Sequence, residues 1–398
     1  MPDNMVNGRH TREDLLTEEH LTTALDWLDQ QTGWPDGAAR AKLTAHLEHL
    51  DERRLRDRAR LRRRVRRDQV ARALAAYYAE AADGFRTYRV RCGPELLSTS
   101  LLTRPDWLGL SLPYGTAFNL TDTRSPRLPM DATGSRAAVE WLAEAVTGGH
   151  PTFNAPLYRM TGVDLGGDTV GAGFGAAEFV EYALSMRLLE RELLDAIVDG
   201  RAVRPGALPL RDHYLPDRAT VTHPSVRLCG GGPLALCAVA RESDYVVLVR
   251  ESENGRLTLV PQTFHEPATD FEEDVSVAAT LRRELAEVLG EAPMAWLAEH
   301  PGRWRVECTG FGFELVSGDF AFASLIVVDD AGWWDGFGAR LPSGLRAHST
   351  RDPEGLAELL CDPGWSSEGL FALAEGLRRL SAVGGDRVRL PRLRPELG

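Results

Sequence analysis

The stretch Asp270 to Glu291, DFEEDVSVAATLRRELAEVLGE, decides how the second half of this chain folds. Its apolar residues recur at three- and four-residue intervals, which predicts a helix from about Val275 to Leu289. With Val277 at zero and ~100° per residue, Leu281 falls near +40°, Val288 near +20° and Glu284 near −20°. Glu284 is therefore expected inside the apolar stripe, with Arg283 and Glu287 to one side. An inward carboxylate must meet a cation, a donor or water, because stranding it bare costs several kcal/mol. Glu284 and Glu287 are three apart, so their Cβ atoms lie ~5–6 Å from each other. Two carboxylates that close need something positive between them: either one of the chain's many arginines or a divalent cation. Mg²⁺ accepts such oxygens at ~2.0–2.1 Å.

Strand-like segments surround this helix. Leu234 to Val239, Tyr245 to Arg250 and Leu257 to Val260 precede it, with Asn254-Gly255 as a hairpin turn signal. Trp304 to Cys308, Phe311 to Val316 and Phe320 to Val328 follow, and helices near Leu356 to Leu360 and Leu370 to Leu380 close the chain. The FAFASLIVV run at 320–328 is the longest apolar stretch. It is far short of the ~20 residues a membrane-spanning helix needs, so it reads as a buried strand.

Arg283-Glu284-Leu285-Ala286-Glu287-Val288-Leu289-Gly290 resembles the core of the Nudix box, R-E-hydrophobic-x-E-E-x-G, and the flanking strands resemble that superfamily's sheet. The resemblance covers about Leu234 to Asp330, roughly a quarter of the chain. The closing SSEGLFALAEGLRRL and RVRLP stretches resemble a loose group of actinobacterial Nudix-like proteins often labelled regulators. The resemblance implies an α/β/α domain that binds a nucleoside-diphosphate-type molecule with Mg²⁺. It implies Glu284 and Glu287 as metal ligands, Glu273 as a further ligand or base, and Arg283 orienting the helix carboxylates. The second adjacent glutamate of the box is Val288 here. The glycine pair after the third strand is replaced by Pro261-Gln262-Thr263-Phe264-His265, and the upstream box glutamate falls on Val275 beside Glu272, Glu273 and Asp274. His265, in the loop entering the helix, is a candidate general acid or base at neutral pH.

The rest of the chain divides by texture. Residues 1–84 read as a helical module, with Leu21, Ala24, Leu25 and Leu28 in one stripe and Leu43, Leu47 and Leu50 in a second. A third helix is expected through the arginine block into Val70, Leu74, Tyr77 and Tyr78, ending at Gly84. Residues 85–225 are mixed α/β: a strand over Phe85 to Cys92, a helix over Arg136 to Val146 capped by Ser135, a long helix from roughly Ala176 to Val198, and a proline-rich linker over Gly200 to Pro224. Residues 226–398 form the Nudix-like domain. The whole is expected to be α+β.

Composition narrows function further. In 398 residues the net charge is −12, and of 46 basic residues only Lys42 is a lysine. Ten arginines and one acid, Asp57, lie between Arg53 and Arg67, a local +9 that leaves −21 for the rest. A uniformly basic nucleic-acid binder is excluded. The block tracks phosphates or docks on the chain's own acidic surface or on a second copy, with docking preferred over nucleic acid. Five widely spaced cysteines, none in a CxxC pair, give neither a disulfide framework nor a zinc site. With no apolar core in MPDNMVNGRHTRED to serve as a signal peptide, a cytoplasmic protein is expected.

Other motifs read as structure first. His46 and His49 lack a third metal ligand, and Gly171-Ala172-Gly173-Phe174-Gly175 lacks phosphate-loop spacing and reads as a turn before a helix. Cys229-Gly230-Gly231-Gly232 reads as a turn feeding a strand. Two functions stay open: a Nudix-type hydrolase of phosphoanhydrides, or an inactive Nudix-like sensor, scaffold or regulator with a protein or nucleic-acid partner.

Overall fold

The structure, a computed structural model, describes residues 19–79, 84–115, 118–122, 130–148, 155–252, 255–265 and 274–398, with backbone alone for 118–122 and 274. Among these the chain opens with helices α1 (Glu19–Thr32), α2 (Ala38–Glu48), α3 (Glu52–Arg63) and α4 (Arg67–Tyr77). Strands β1 (Arg86–Cys92), β2 (Glu95–Thr103), β3 (Leu108–Pro113) and β4 (Phe118–Asp122) lead to α5 (Ala132–Thr147). Next come β5 (Pro156–Asp164), β6 (Gly171–Glu178), α6 (Phe179–Ala183), α7 (Met186–Val198), α8 (Pro209–Tyr214) and α9 (Arg218–Thr222). The second half runs β7 (Gly231–Ala240), β8 (Tyr245–Glu251), β9 (Leu257–Leu259), β10 (Asp274–Val275), α10 (Val277–Leu289) and α11 (Glu291–Glu299). It ends with β11 (Trp304–Glu314), β12 (Phe320–Val328), α12 (Ala331–Phe337), β13 (Leu345–Ser349), α13 (Pro353–Cys361), α14 (Ser367–Gly384) and β14 (Leu393–Leu397).

The fold is α+β. A ten-stranded mixed sheet has the order β13-β8-β7-β12-β11-β2-β1-β14, with β3 added on β11 and β9 on β8. Every residue of β7 and of β12 is buried, because both faces of the sheet are covered. Leu236, Ala238, Leu325 and Val327 meet α14, whose Leu370, Leu373, Leu377 and Leu380 point inward. The alternate residues Ala235, Cys237, Val239, Ile326 and Val328 meet Leu281, Leu285 and Leu289 of α10, Leu297 of α11 and Trp333 of α12. Each fully buried leucine contributes ~1.5–3 kcal/mol, so two helices clamp the sheet from opposite sides. A third core joins the N-terminal helices, α5 to α8 and a four-stranded sheet of order β10-β4-β6-β5.

Strand partnership crosses the divisions drawn from texture. Strands β1 to β3 hydrogen-bond into the sheet that β7, β8, β11 and β12 build, and β10 leaves that region to pair with β4. The expected arginine-rich helix is two helices. The chain breaks at Arg64–Arg66, where Arg66 turns extended and its N–H donates to Gln69 Oε1 at 2.9 Å. The expected helix over Ala176 to Val198 begins later. Its first residues belong to β6, which pairs with β5 and β4, and α6 and α7 follow with a break at Leu184–Ser185. The glycine-rich 171–175 segment is thus a strand with Phe174 fully buried, not a turn. Tertiary pairing overrides local propensity here. Helix α5 starts at Asp131, whose carboxylate accepts from Thr133 and Gly134 N–H, so Ser135 lies inside the helix and buried. The proline-rich 200–224 segment is ordered into α8 and α9, with Leu208, Leu210, Arg211 and Leu215 buried. No helix among the described residues is long and apolar enough to cross a membrane.

Candidate functional site

Helix α10 starts where Ser276 accepts a hydrogen bond from Ala279 N–H at 3.1 Å, and it ends at Gly290, whose φ of 87° favours glycine. Its buried face is Val277, Thr280, Leu281, Leu285 and Leu289. That face is centred nearer Leu281 and Leu285 than the sequence spacing to Val288 suggested. Glu284 consequently sits at the rim of the stripe, with 22% of its side chain exposed. Burial raises its carboxyl above the usual range, and neighbouring Glu287 adds to this. Arg283, with Nε 3.8 Å from Glu284 Oε1, and a hydrogen bond from Thr263 act the other way. Glu287 is exposed, and Val288 packs partly buried against the core.

His265 has a different place from the solvent-facing one a general acid or base needs. It is fully buried between Tyr158 and Phe174, with ring centroids at 4.8 and 4.7 Å. Nδ1 lies 2.9 Å from Thr280 Oγ1, and its backbone N–H donates to Gly231 O at 2.9 Å. Burial, with Arg283 adding positive charge nearby, pulls its pKa down to about 3. This imidazole is a neutral core group at pH 7. Two glycines make the close approach possible: a Cβ on Gly232 would stand 2.2 Å from Thr263 O, and one on Gly231 would stand 2.1 Å from Phe320 O.

The geometry brings together Arg283, Glu284 and Glu287 on one helix face and leaves His265 beneath. Glu273 lies outside the described residues. Among the described residues no three His, Cys, Asp or Glu side chains assemble as a metal-binding group. The two helix carboxylates supply at most two protein positions of an octahedral Mg²⁺, with water or a bound phosphate filling the rest. They fit a weakly held, ligand-assisted cation rather than a dedicated metal cage.

Cys229, with Sγ 3.4 Å from Gly318 O, is buried, and burial raises its thiol to about 11, so it is no nucleophile. A larger polar network escaped the motif reading. Glu314 accepts from Ser100 Oγ at 2.5 Å, and Asp319 accepts from Tyr182 OH at 2.5 Å and Ser317 Oγ at 2.7 Å. Burial raises both acids. Besides the local Ser317, their partners come from two distant segments, around Ser100 and Tyr182, so no local pattern announces them.

The arginine helix α3 buries none of its residues. It is held by Arg58 to Asp195 (2.8 Å) and Asp199, and by Arg62 to Asp195 (3.2 Å) and Glu144. Asp195 and Asp199 belong to α7 or its end and Glu144 to α5, so the docking is on the chain's own acidic surface. An Arg58→Ala/Arg62→Ala pair should cost ~1–3 kcal/mol in urea melts and speed amide exchange across 52–63. An Arg53→Ala/Arg54→Ala pair on the exposed face should leave both unchanged. Equal exchange in the two pairs would show that the ion pairs do not hold the helix.

No protein-family model matches this chain, and comparison with curated proteins finds no relative.

Proposed function

We propose that residues 226–398 act as a Nudix-like module that binds a nucleoside-diphosphate-type small molecule with Mg²⁺, and that binding rather than turnover is its main work. The supporting observation is Glu284: a carboxyl raised by burial, paired with Glu287 one turn on, and set at the rim of an α/β/α sandwich. A divalent cation bridging the ligand's phosphates would relieve that crowding. Val288 turned toward the core leaves the helix one carboxylate short of the box, which favours a sensor over a hydrolase. Five free thiols accord with a reducing, cytoplasmic setting.

The test is thermal melting with Mg²⁺ and a panel of nucleoside diphosphate derivatives, beside Glu284→Gln. One ligand should raise the wild-type Tm by roughly 2–4 °C, with Mg²⁺ required and the variant unresponsive. No stabilisation by any of them would end this reading. Turnover that vanishes in the variant would instead make the module an enzyme.

A second reading has one observation in its favour. Arg53, Arg54, Arg56, Arg60, Arg63, Arg64 and Arg66 all remain exposed after α3 docks, a positive ridge suited to a polyanion or to a second copy's acidic surface. As a regulator's contact with nucleic acid, it requires affinity that falls steeply with salt. No complex at low salt would remove it.

A further inference from the structure

A cleft of about 530 Å³ opens between the α1–α2 turn and the start of α5, away from the carboxylates of α10. Trp34, Lys42 and His46 form one wall, and Met130, Arg136 and Val139 form the other. The first wall is fixed by Asp29, which is buried and accepts from Gly37 N–H and Ala39 N–H at 2.7 Å each. That clamp sets the turn carrying Trp34. Lys42 Nζ stands over the Trp34 ring, 4.6 Å from its centroid.

The cleft is lined by two cations, Lys42 and Arg136, and two acids, Asp131 and Glu140. Its two acids are already engaged: Asp131 caps α5 through Thr133 and Gly134 N–H, and Glu140 lies 3.6 Å from Arg191. Lys42 and Arg136 have no carboxylate within ion-pair distance among the described residues, and both are exposed to the cleft's solvent. Two cations without an ion-pair partner among the described residues therefore line the cleft together with Met130, Val139 and the Trp34 ring. A volume of ~300–1,000 Å³ with an apolar lining and a few convergent polar groups is what small-molecule sites share. The cations select an anion. The apolar side chains select a flat ring attached to it.

We propose that this cleft binds a small phosphorylated molecule carrying a flat ring, of the nucleoside monophosphate class, with Lys42 and Arg136 holding the phosphate. The site is separate from α10 and does not depend on the function assigned to residues 226–398. Lys42 is the chain's single lysine, which makes it a clean reporter. Reductive methylation with ¹³C-formaldehyde labels only Lys42 and the N-terminal amine, and it keeps the lysine charge.

Adenosine 5′-monophosphate should shift the Lys42 methyl resonance with a Kd below about 1 mM. Adenosine, a ring without the anion, and inorganic phosphate, an anion without the ring, should each bind at least about tenfold more weakly. Arg136→Ala, an exposed position, should keep the fold's circular dichroism and thermal midpoint and lose the monophosphate at least about tenfold. An unmoved resonance at several millimolar nucleotide would overturn the proposal. So would phosphate matching the nucleotide, or undiminished binding in a folded Arg136→Ala protein.

Discussion

Acidification from pH 7 to pH 5 should cost the protein roughly 2 kcal/mol through His265 alone, a loss that His265→Gln removes. In the fold the imidazole is fully buried, with a pKa of about 3, while in the unfolded chain it returns to its ordinary value of 6.5. The unfolded state therefore takes up a proton below pH 6.5 that the folded state refuses. The stabilisation is complete above pH 6.5 and declines as pH falls toward 3, by ~1.4 kcal/mol per unit and ~4–5 kcal/mol over the whole window. Buried acids with raised pKa values, among them Glu192, Glu284 and Asp319, act with the opposite sign. The wild-type curve alone is therefore a mixture. The difference between wild type and His265→Gln in urea melts isolates the histidine, since the amide keeps a polar partner for Thr280 and does not titrate. Converging curves between pH 7 and pH 5 are expected. Parallel curves would mean that His265 is hydrated and not the sealed group described above.

Replacing Arg211 should be the most damaging single change outside the sheet. Its side chain is fully buried on α8 and donates in several directions. Nη1 reaches Leu315 O at 2.6 Å and Tyr78 OH at 3.1 Å, and Nη2 reaches Leu189 O at 3.3 Å and Val316 O. One guanidinium thus ties α7, the end of α4 and the turn after β11 to α8. Its backbone N–H is fixed in addition by Glu192 Oε2 at 3.0 Å. Arg211→Met keeps the apolar stem and leaves buried carbonyls without donors, each costing ~1–3 kcal/mol, for a total above ~4 kcal/mol. Lysine should recover less than half, because a compact ammonium cannot reach four acceptors spread over a planar fork's span. Arg204→Ala, exposed on the same segment, should stay within ~0.5 kcal/mol. A loss below ~1.5 kcal/mol for Arg211→Met would refute the account.

Arg211 shows why the sequence is unevenly legible. Apolar periodicity made α10, β7, β8, β12 and α14 readable, since each buries a face whose period is local. Arg211 sits in a proline-rich stretch without periodicity, and everything it holds lies far off in sequence. Glu284 is legible as an inward acid, but the buried face is centred on Leu281, Leu285 and Leu289 rather than Val288, so the carboxylate lies nearer the rim than the spacing implies. His265 looked like a loop residue because its burial depends on β5, β6 and the 230–232 glycines. The arginine block's internal docking followed from charge balance, whereas the choice of Arg58 and Arg62 did not, since it depends on where Asp195 and Glu144 fall. Lys42 stood out only as a compositional oddity until α5 was placed opposite it.

The central sheet also imposes an order of events during synthesis. Leu102 of β2 pairs with Phe313, and Val90 of β1 with Pro395, so the first strands made wait for nearly the last. At ~5–20 residues per second a ribosome needs roughly 10–40 s to travel from β2 to β11. Throughout that interval the β1–β2 hairpin has α4 to pack on but neither of its flanking strands, β11 and β14. A nascent chain of this design is a natural client for holdase chaperones, and its yield should depend more on their supply than on the stability of the finished fold.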